Sequence, residues 1–432
     1  MSGSNMQADA AALHSSGIAA VKRGQLAEGR AMLERAAQQQ PNVLQFQGDL
    51  AQVQLMAGDE ASAIKTLQIC LKLNPGLTPF WLNLGILQLR ADRIDEAGEC
   101  FQKAIDGDAR LADAHGGLGV VRQRQKRLPE AAEAFEKAAA LSPQDAELRS
   151  NLAGALQEIG ENDRAIAAFE EAIRLAPDRA ALHTHLGVIL HEVRGAEAGL
   201  PHYDRALGLH PGDARTLAAK RSALVSLGRD EEAAAIFDFD ALITTVQLGA
   251  APGYRDMAAF NEALAAHAVS HPSLISDPLG RTTRGGGQTG QLLEGEAGPV
   301  TALEGLLRQE VDAYFADPAR ARHPFRPHRP ATDRLDVWAT VLDSGGYQDP
   351  HIHPSGVLSG VYYVQLPETG DAGALEFGRP PAPFTLPDPE VMVVRPEPGL
   401  LVLFPSFFWH RTIPFPGEGR RISIAFDLTP AG

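Results

Sequence analysis

The chain has two cysteines in 432 residues, Cys70 and Cys100. Two thiols cannot staple a chain of this length, and they lack the paired spacing of a cysteine metal site. Both fall inside helical repeats, where small apolar side chains pack, and they read as core thiols. No stretch approaches about 18 consecutive apolar residues, which leaves no candidate membrane-spanning helix. The opening segment MSGSNMQADAAALHSS has no apolar run of signal-peptide length. On these shortages the chain is expected to be cytoplasmic, with no membrane partner. Basic residues are also scarce: Lys and Arg number 39 against 54 Asp and Glu, a net charge of −15. Beyond residue 240 there are 14 arginines, no lysine and 21 acidic residues. A surface that wraps nucleic acid needs Lys and Arg to meet the phosphates, so no nucleic-acid partner is expected. Without lysine, the glycine-rich GRTTRGGGQTG (280–290) cannot be a G-x-x-x-x-G-K-[ST] phosphate loop, and it reads as a mobile loop.

What the first half does have is a period. Pro41, Pro75, Pro143, Pro177 and Pro211 lie on a 34-residue grid whose one vacant point holds Ala109. Small residues recur at Gly17, Ala51, Gly85, Gly119, Ala153 and Gly187, and large ones at Leu33, Leu67, Phe101, Phe135, Phe169 and Tyr203. Each unit reads as a helical hairpin: the small residue lets two helices approach, the large one fills the gap, and proline ends the second helix. One hairpin cannot bury its own apolar face, so units stack into a solenoid. The pattern resembles the tetratricopeptide repeat. It predicts residues 1–9 as a disordered N-terminus and 10–240 as a solenoid of six repeats, with an atypical capping unit at about 214–237. The resemblance implies a concave groove that binds a protein or peptide. One row of the groove carries Ser15, Asp49, Asn83, Gly117, Asn151 and His185. A side-chain amide both donates and accepts, so Asn83 and Asn151 are candidates to grip a peptide backbone; the bland alternative is two solvated asparagines.

Residues 241–432 lose that period. FNEALAAHAVS (260–270) and VTALEGLLRQEVDAYFA (300–316) each read as one amphipathic helix. ARHPFRPHRPATD (321–333) reads as an extended connector. Strand signals then crowd together: RLDVWATVL (334–342), a turn at SGGYQDP (344–350), HIHP, LSGVYYVQL (358–366), ALEFG (374–378), VMVVRP (391–396), LLVLFPS (400–406) and RISIAFDL (421–428). No helix separates these strands, so the sheet is expected to be antiparallel, a barrel or double-sheet jelly roll.

The segment HIHP raises the chemical question. Residues two apart on a strand share a face, so His351 and His353 would project together. Side by side in an apolar interior they would be costly unless they shared a partner. His410, at the end of the apolar run LVLFPSFFWH, is the third candidate. Three converging imidazoles suit a borderline divalent ion such as Fe(II), Zn(II) or Ni(II).

HIHPSGVLSGVYYV, LEFG, GLLVLFPSFFWHRTIPF and RRISIAFDL together resemble the Fe(II)/2-oxoglutarate-dependent oxygenases, most closely the bacterial and phage branch with H-x-H-P…SGVYY, and more remotely the prolyl hydroxylases. The resemblance implies a double-stranded β-helix (jelly-roll) fold with flanking helices over 241–432. It implies Fe(II) held by His351 and His410, 2-oxoglutarate as cosubstrate and O2 as oxidant. It further implies that Arg421 grips the far carboxylate of the oxoacid, with Tyr363 and Ser423 at the cosubstrate. A guanidinium is a planar two-pronged match for a carboxylate. Strand alternation places Arg421, Ser423 and Ala425 on one face and Ile422, Ile424 and Phe426 on the other, so the role requires the Arg421 face to be interior. One departure stands out: the superfamily expects a carboxylate where His353 sits. Either His353 is the third ligand, or it turns away and water, Asp349 or Glu376 substitutes, or the site holds metal poorly.

Three functions compete at this stage. The leading one is a dioxygenase that hydroxylates a protein or peptide recruited by the repeat groove. The second is a three-histidine cupin-type dioxygenase that does not use 2-oxoglutarate. The third is a scaffold carrying a vestigial oxygenase domain.

Overall fold

The structure, a computed structural model, describes residues 2–249, 251–278, 282–294, 298–367, 373–381, 389–415 and 419–431, without the side chains of residues 2–7. It falls into two compact units, residues 1–177 and 178–432.

The first unit is helical throughout. Hairpins such as Thr78–Arg90 with Ile94–Gly107, and Ala112–Arg124 with Leu128–Leu141, follow the expected grid. The small-to-large pairing supplies the contact. A Cβ on Gly85 would stand 2.8 Å from the Phe101 ring, and one on Gly119 2.7 Å from Phe135. Phe101, Phe135 and Phe169 are buried in return. The second helices end at Gln39, Leu73, Leu141 and Leu175, each two residues before a grid proline, because proline disfavours helical backbone in the residue before it. At the vacant point the helix still ends at Gly107, two residues before Ala109, so the stacked neighbours hold the boundary without proline. The first helix is Ser2–Lys22 and takes in residues 2–9, expected to be disordered. Cys70 and Cys100 are buried, and burial pushes both thiols up to about 11, as befits inert core residues.

The second unit opens with two more hairpins, Ala180–Arg194 with Ala196–Leu209 and Ala214–Ser226 with Asp230–Ile236. Ten strands follow among the described residues: β1 (Thr244–Gln247), β2 (Ile275–Ser276), β3 (Thr283–Gln288), β4 (Asp333–His351), β5 (Leu358–Gln365), β6 (Leu375–Phe377), β7 (Met392–Val394), β8 (Leu400–Pro405), β9 (His410–Thr412) and β10 (Arg421–Pro430). Every pairing is antiparallel, in the order β1-β8-β5-β10-β4-β9-β6-β7, with β3 paired to β2 and β4, and the sheet curls in jelly-roll fashion.

Alternation divides this sheet into two faces. Ile422, Ile424 and Phe426 of β10, with Tyr362 and Val364 of β5, pack under the helices Met257–Ser270 and Pro299–Ala316. Val361, Tyr363, Leu375, Phe377, Phe404 and Ala425 form the inner face. The same apolar cluster continues into the hairpin that the sequence marks as a cap: Phe237 stacks on Phe408 at 4.5 Å. Arg221, fully buried on that hairpin, donates from Nη1 to the Gly378 carbonyl at 2.8 Å.

Two further expectations need correction, and one strand was not anticipated. The glycine-rich stretch is no mobile loop where it is described: residues 283–288 form β3, whose Gly286 runs so close to β4 that a Cβ would lie 2.3 Å from the Val341 carbonyl oxygen. Gly280 and Arg281 lie outside the described residues. The segment SGGYQDP, expected to turn, is part of β4, which continues through Gly345 (φ +79°) while its pairing changes from β10 to β9. The segment after Phe408 regains strand pairing as β9, too short for any pattern to announce.

Candidate metal centre

The long β4 places the first histidine. Its last residue, His351, stands directly opposite His410 of β9, and β9 in turn sets His410 against Phe377 of β6. His353 lies two residues beyond the strand, where its backbone N–H donates to the Ser406 carbonyl at 2.9 Å. The rings nevertheless converge. Centroids are 4.2 Å apart for His351 and His410, 5.0 Å for His353 and His410, and 5.1 Å for the near-parallel His351 and His353. One ligand nitrogen from each lies within 4.8 Å of the others. Two nitrogens on one ion with imidazole bonds of about 2.1 Å lie no more than about 4.2 Å apart, so any pair at the upper end of that range would draw together on binding.

Hydrogen bonds select the nitrogen. Nδ1 of His351 meets the Asp349 carbonyl at 2.7 Å, and Nδ1 of His410 meets the Phe408 carbonyl at 2.9 Å. Nδ1 of His353 meets Asp427 Oδ1 at 2.5 Å. Each partner is an acceptor, so each Nδ1 carries a proton and Nε2 is the nitrogen each ring has left to offer a metal. Burial, then the neighbouring His353, pushes His351 down to about 3. His410 is held well below its ordinary range by burial and by His351 and His353. At neutral pH these two rings are therefore uncharged, the state in which imidazole binds metal.

The carboxylates proposed as substitutes for His353 are engaged elsewhere. Glu376 alternates with Leu375 and Phe377, which face inward, so it points to the other side of β6. There Arg411 holds both of its oxygens (2.7 and 3.1 Å) and Arg379 adds a bond at 2.7 Å. Asp349 turns to Arg284 at 3.1 Å.

The face of β10 that carries Arg421 is the interior, as its expected role required. Arg421 is 1% exposed. Its Nε donates to the Gly373 carbonyl (2.9 Å) and its Nη1 to Ser423 Oγ (3.1 Å). Among the described residues no carboxylate lies within ion-pair distance of it. Tyr363 pairs with Ser423 across β5 and β10, and its ring lies 5.0 Å from the guanidinium. The Tyr363 hydroxyl, beside the Arg421 guanidinium, and Thr340 Oγ1 are buried without a well-aligned hydrogen bond among the described residues. Tyr362, one residue earlier, faces the helices and donates to Asn261 Oδ1 at 2.6 Å. A small cavity of about 20 Å³ is lined by His351, His353 and His410 together with Thr340, Arg421 and Ser423. A second, of about 460 Å³, lies against Trp338, Gln348, His351 and His353 and reaches out to β3. Those four residues line both. Trp338, 5.6 Å from His353, is pocket wall, and Trp409 belongs to the inner apolar cluster.

Asp427 was missed by the sequence reading. It lies four residues beyond Ser423 on the face already assigned to the interior, so strand alternation contained the signal.

In the first unit, Asn83 lines a cavity of about 430 Å³ with Leu44, Asp49 and Phe80. Asn151 is half-buried on the helix Ala146–Glu158 and borders no such cavity among those described.

Residues 336–427 match a family described as "Putative 2OG-Fe(II) oxygenase". Tetratricopeptide-repeat families match residues 15–77, 82–146 and 123–188. Among solved structures the chain is similar to YrrB, "a TPR protein with an unusual peptide-binding site" (20% identity over 44% of this chain and 97% of that one, TM-score 0.40). It is also similar to PilF of Pseudomonas aeruginosa (21% identity, 46% and 89% covered, TM-score 0.40) and MamA of Desulfovibrio magneticus RS-1 (20% identity, 39% and 95% covered, TM-score 0.38). No curated protein matches the chain. Among the described residues no helix is long and apolar enough to cross a membrane.

Proposed function

We propose, for a chain that joins tetratricopeptide repeats to a domain of the 2OG-Fe(II) oxygenase family, that it is an Fe(II)- and 2-oxoglutarate-dependent dioxygenase whose substrate is a protein or peptide recruited by the repeat groove. One observation carries the reading: three imidazoles, each with a ligand nitrogen within 4.8 Å of the others, line the same small interior cavity as a buried arginine with no carboxylate partner among the described residues. A buried guanidinium is costly unless paired. A dicarboxylate with one end at the metal and the other at Arg421 would relieve that cost.

The donor set fits. His351, His353 and His410 would hold Fe(II) through Nε2, and three ligands leave open positions. Arg421 would take the distal carboxylate of 2-oxoglutarate, while Ser423 Oγ, the Tyr363 hydroxyl and Thr340 Oγ1 would offer it further hydrogen bonds. Val361, Leu375, Phe404 and Ala425 keep the cavity apolar and exclude bulk water. A volume of about 20 Å³ has room for one water, so admitting a five-carbon diacid requires side chains at its wall to turn aside. Trp338 and Gln348, shared with the larger cavity, would present the target C–H bond to the centre. Fe(II) and the oxoacid, when bound with O2, supply the chemistry: one oxygen atom enters the substrate C–H bond as hydroxyl, the other enters succinate, and CO2 leaves. The repeat array would supply binding energy remote from the reacting bond. The cavity beside Asn83 is the place in the first unit where a peptide side chain would seat.

The histidine at position 353 favours a second reading, a three-histidine centre that binds substrate directly without 2-oxoglutarate. Anaerobic titration of the full chain with Fe(II) and 2-oxoglutarate separates the two. The proposal expects a weak visible charge-transfer band, succinate on admission of air, and loss of both in Arg421→Ala. Substrate oxidation that persists in Arg421→Ala without added oxoacid would favour the second reading. Absence of both the band and succinate in the intact chain would refute the proposal.

A further inference from the structure

The three histidines are not held alike. His351 and His410 each lean on a neutral backbone carbonyl, whereas His353 alone leans on a carboxylate, Asp427, at 2.5 Å. His353 is also the ligand that stands where a carboxylate ligand is expected. Three imidazoles around a divalent ion leave the full charge of +2 on the centre, whereas a carboxylate ligand would reduce it to +1.

Asp427 is built into place. It lies on β10 opposite Ser359 of β5. Ser359 Oγ donates to the same Oδ1 at 2.6 Å and is itself 2.8 Å from Ser406 Oγ. Ser406 in turn accepts the His353 backbone N–H. Gly356 makes the room, since a Cβ there would lie 2.6 Å from Ser406 Oγ and 3.3 Å from Asp427 Cγ. A carboxylate that accepts the Nδ1 proton of an imidazole raises the basicity of the opposite nitrogen and fixes the ring's orientation.

We infer that Asp427 is a positioning residue that restores, one hydrogen bond away from the metal, the negative charge that His353 does not bring. This rests on the metal centre proposed above. It makes His353 and Asp427 a single anionic unit, equivalent to a carboxylate ligand drawn back by the width of an imidazole.

The test uses the full chain, anaerobically, with Co(II) as probe: its dissociation constant by chelator competition and its visible absorption. Asp427→Asn keeps an oxygen that can accept from Nδ1 and removes only the charge. It is expected to bind Co(II) about 10- to 100-fold more weakly, with a shifted absorption band. Asp427→Glu, which keeps the charge, is expected to recover most of that loss. In His353→Asp the carboxylate becomes a ligand and Asp427 faces a like charge, so adding Asp427→Asn should leave affinity unchanged or raise it. An Asp427→Asn affinity and spectrum equal to wild type would overturn the inference. So would an equal loss in both backgrounds, which is what a mere structural prop produces. Failure of the unmodified chain to bind Co(II) is a different result, and it would overturn the metal centre itself.

Discussion

Replacing Arg421 with methionine asks whether this arginine holds the fold together or waits for a ligand. The guanidinium is 1% exposed, with bonds to the Gly373 carbonyl and Ser423 Oγ and a ring contact to Tyr363. Two hydrogen bonds from a charged donor contribute about 1.5–3 kcal/mol each, and the ring about 1 kcal/mol. Against them stands a desolvation penalty of several kcal/mol for an ion without a counter-charge. The terms nearly cancel, so Arg421→Met, which fills similar space, should change stability by no more than about 1 kcal/mol. For a unit of this size that is about 2–4 °C in midpoint. Removing one partner of a true buried ion pair would instead cost about 3–5 kcal/mol, and the midpoint would fall by at least about 6 °C. Thermal unfolding followed by tryptophan fluorescence is the assay, because Trp338 and Trp409 lie in the second unit and only Trp81 in the first. The same scan with Mn(II) and 2-oxoglutarate supplies the second half. Ligand at 100 times its dissociation constant adds about 2.7 kcal/mol to the wild type and should add far less to the variant. A variant that unfolds at least about 6 °C lower, or that the oxoacid stabilises as much as wild type, refutes the reasoning.

Two further outcomes follow from the geometry. Gly119→Ala should destabilise the repeat unit by about 1–3 kcal/mol, since its Cβ would meet Phe135 at 2.7 Å. Gly154→Ala, at a helical site with nothing within 4 Å, should stabilise it by about 0.5–1 kcal/mol; urea unfolding reads both, and equal signs would contradict the packing account. Glu376→Gln should leave Co(II) affinity within about twofold while lowering stability by about 1–2 kcal/mol, because Arg411 loses a charged acceptor and the more exposed Arg379 contributes little. A large loss of affinity would mean that Glu376 reaches the metal.

The sequence alone determined whatever depends on period. The 34-residue grid set the hairpins, and the pairing of Gly85 with Phe101 or Gly119 with Phe135 followed from the same spacing, because neighbouring helices repeat one local contact. Alternation on β10 was equally legible: once a single residue of that strand is known to face inward, Arg421, Ser423 and Ala425 follow. Only the tertiary structure decided the rest. Whether His410 meets His351 depends on β9, a three-residue strand whose existence is fixed by its partners β4 and β6. The glycine-rich stretch became β3 because β4 offered it an edge, and no local preference for strand announced it. Asp427 acquired its meaning from Ser359 and His353, far from it along the chain and brought together by antiparallel pairing. Periodic local contacts are written into neighbouring residues, whereas a site assembled across strands exists only when the sheet has closed.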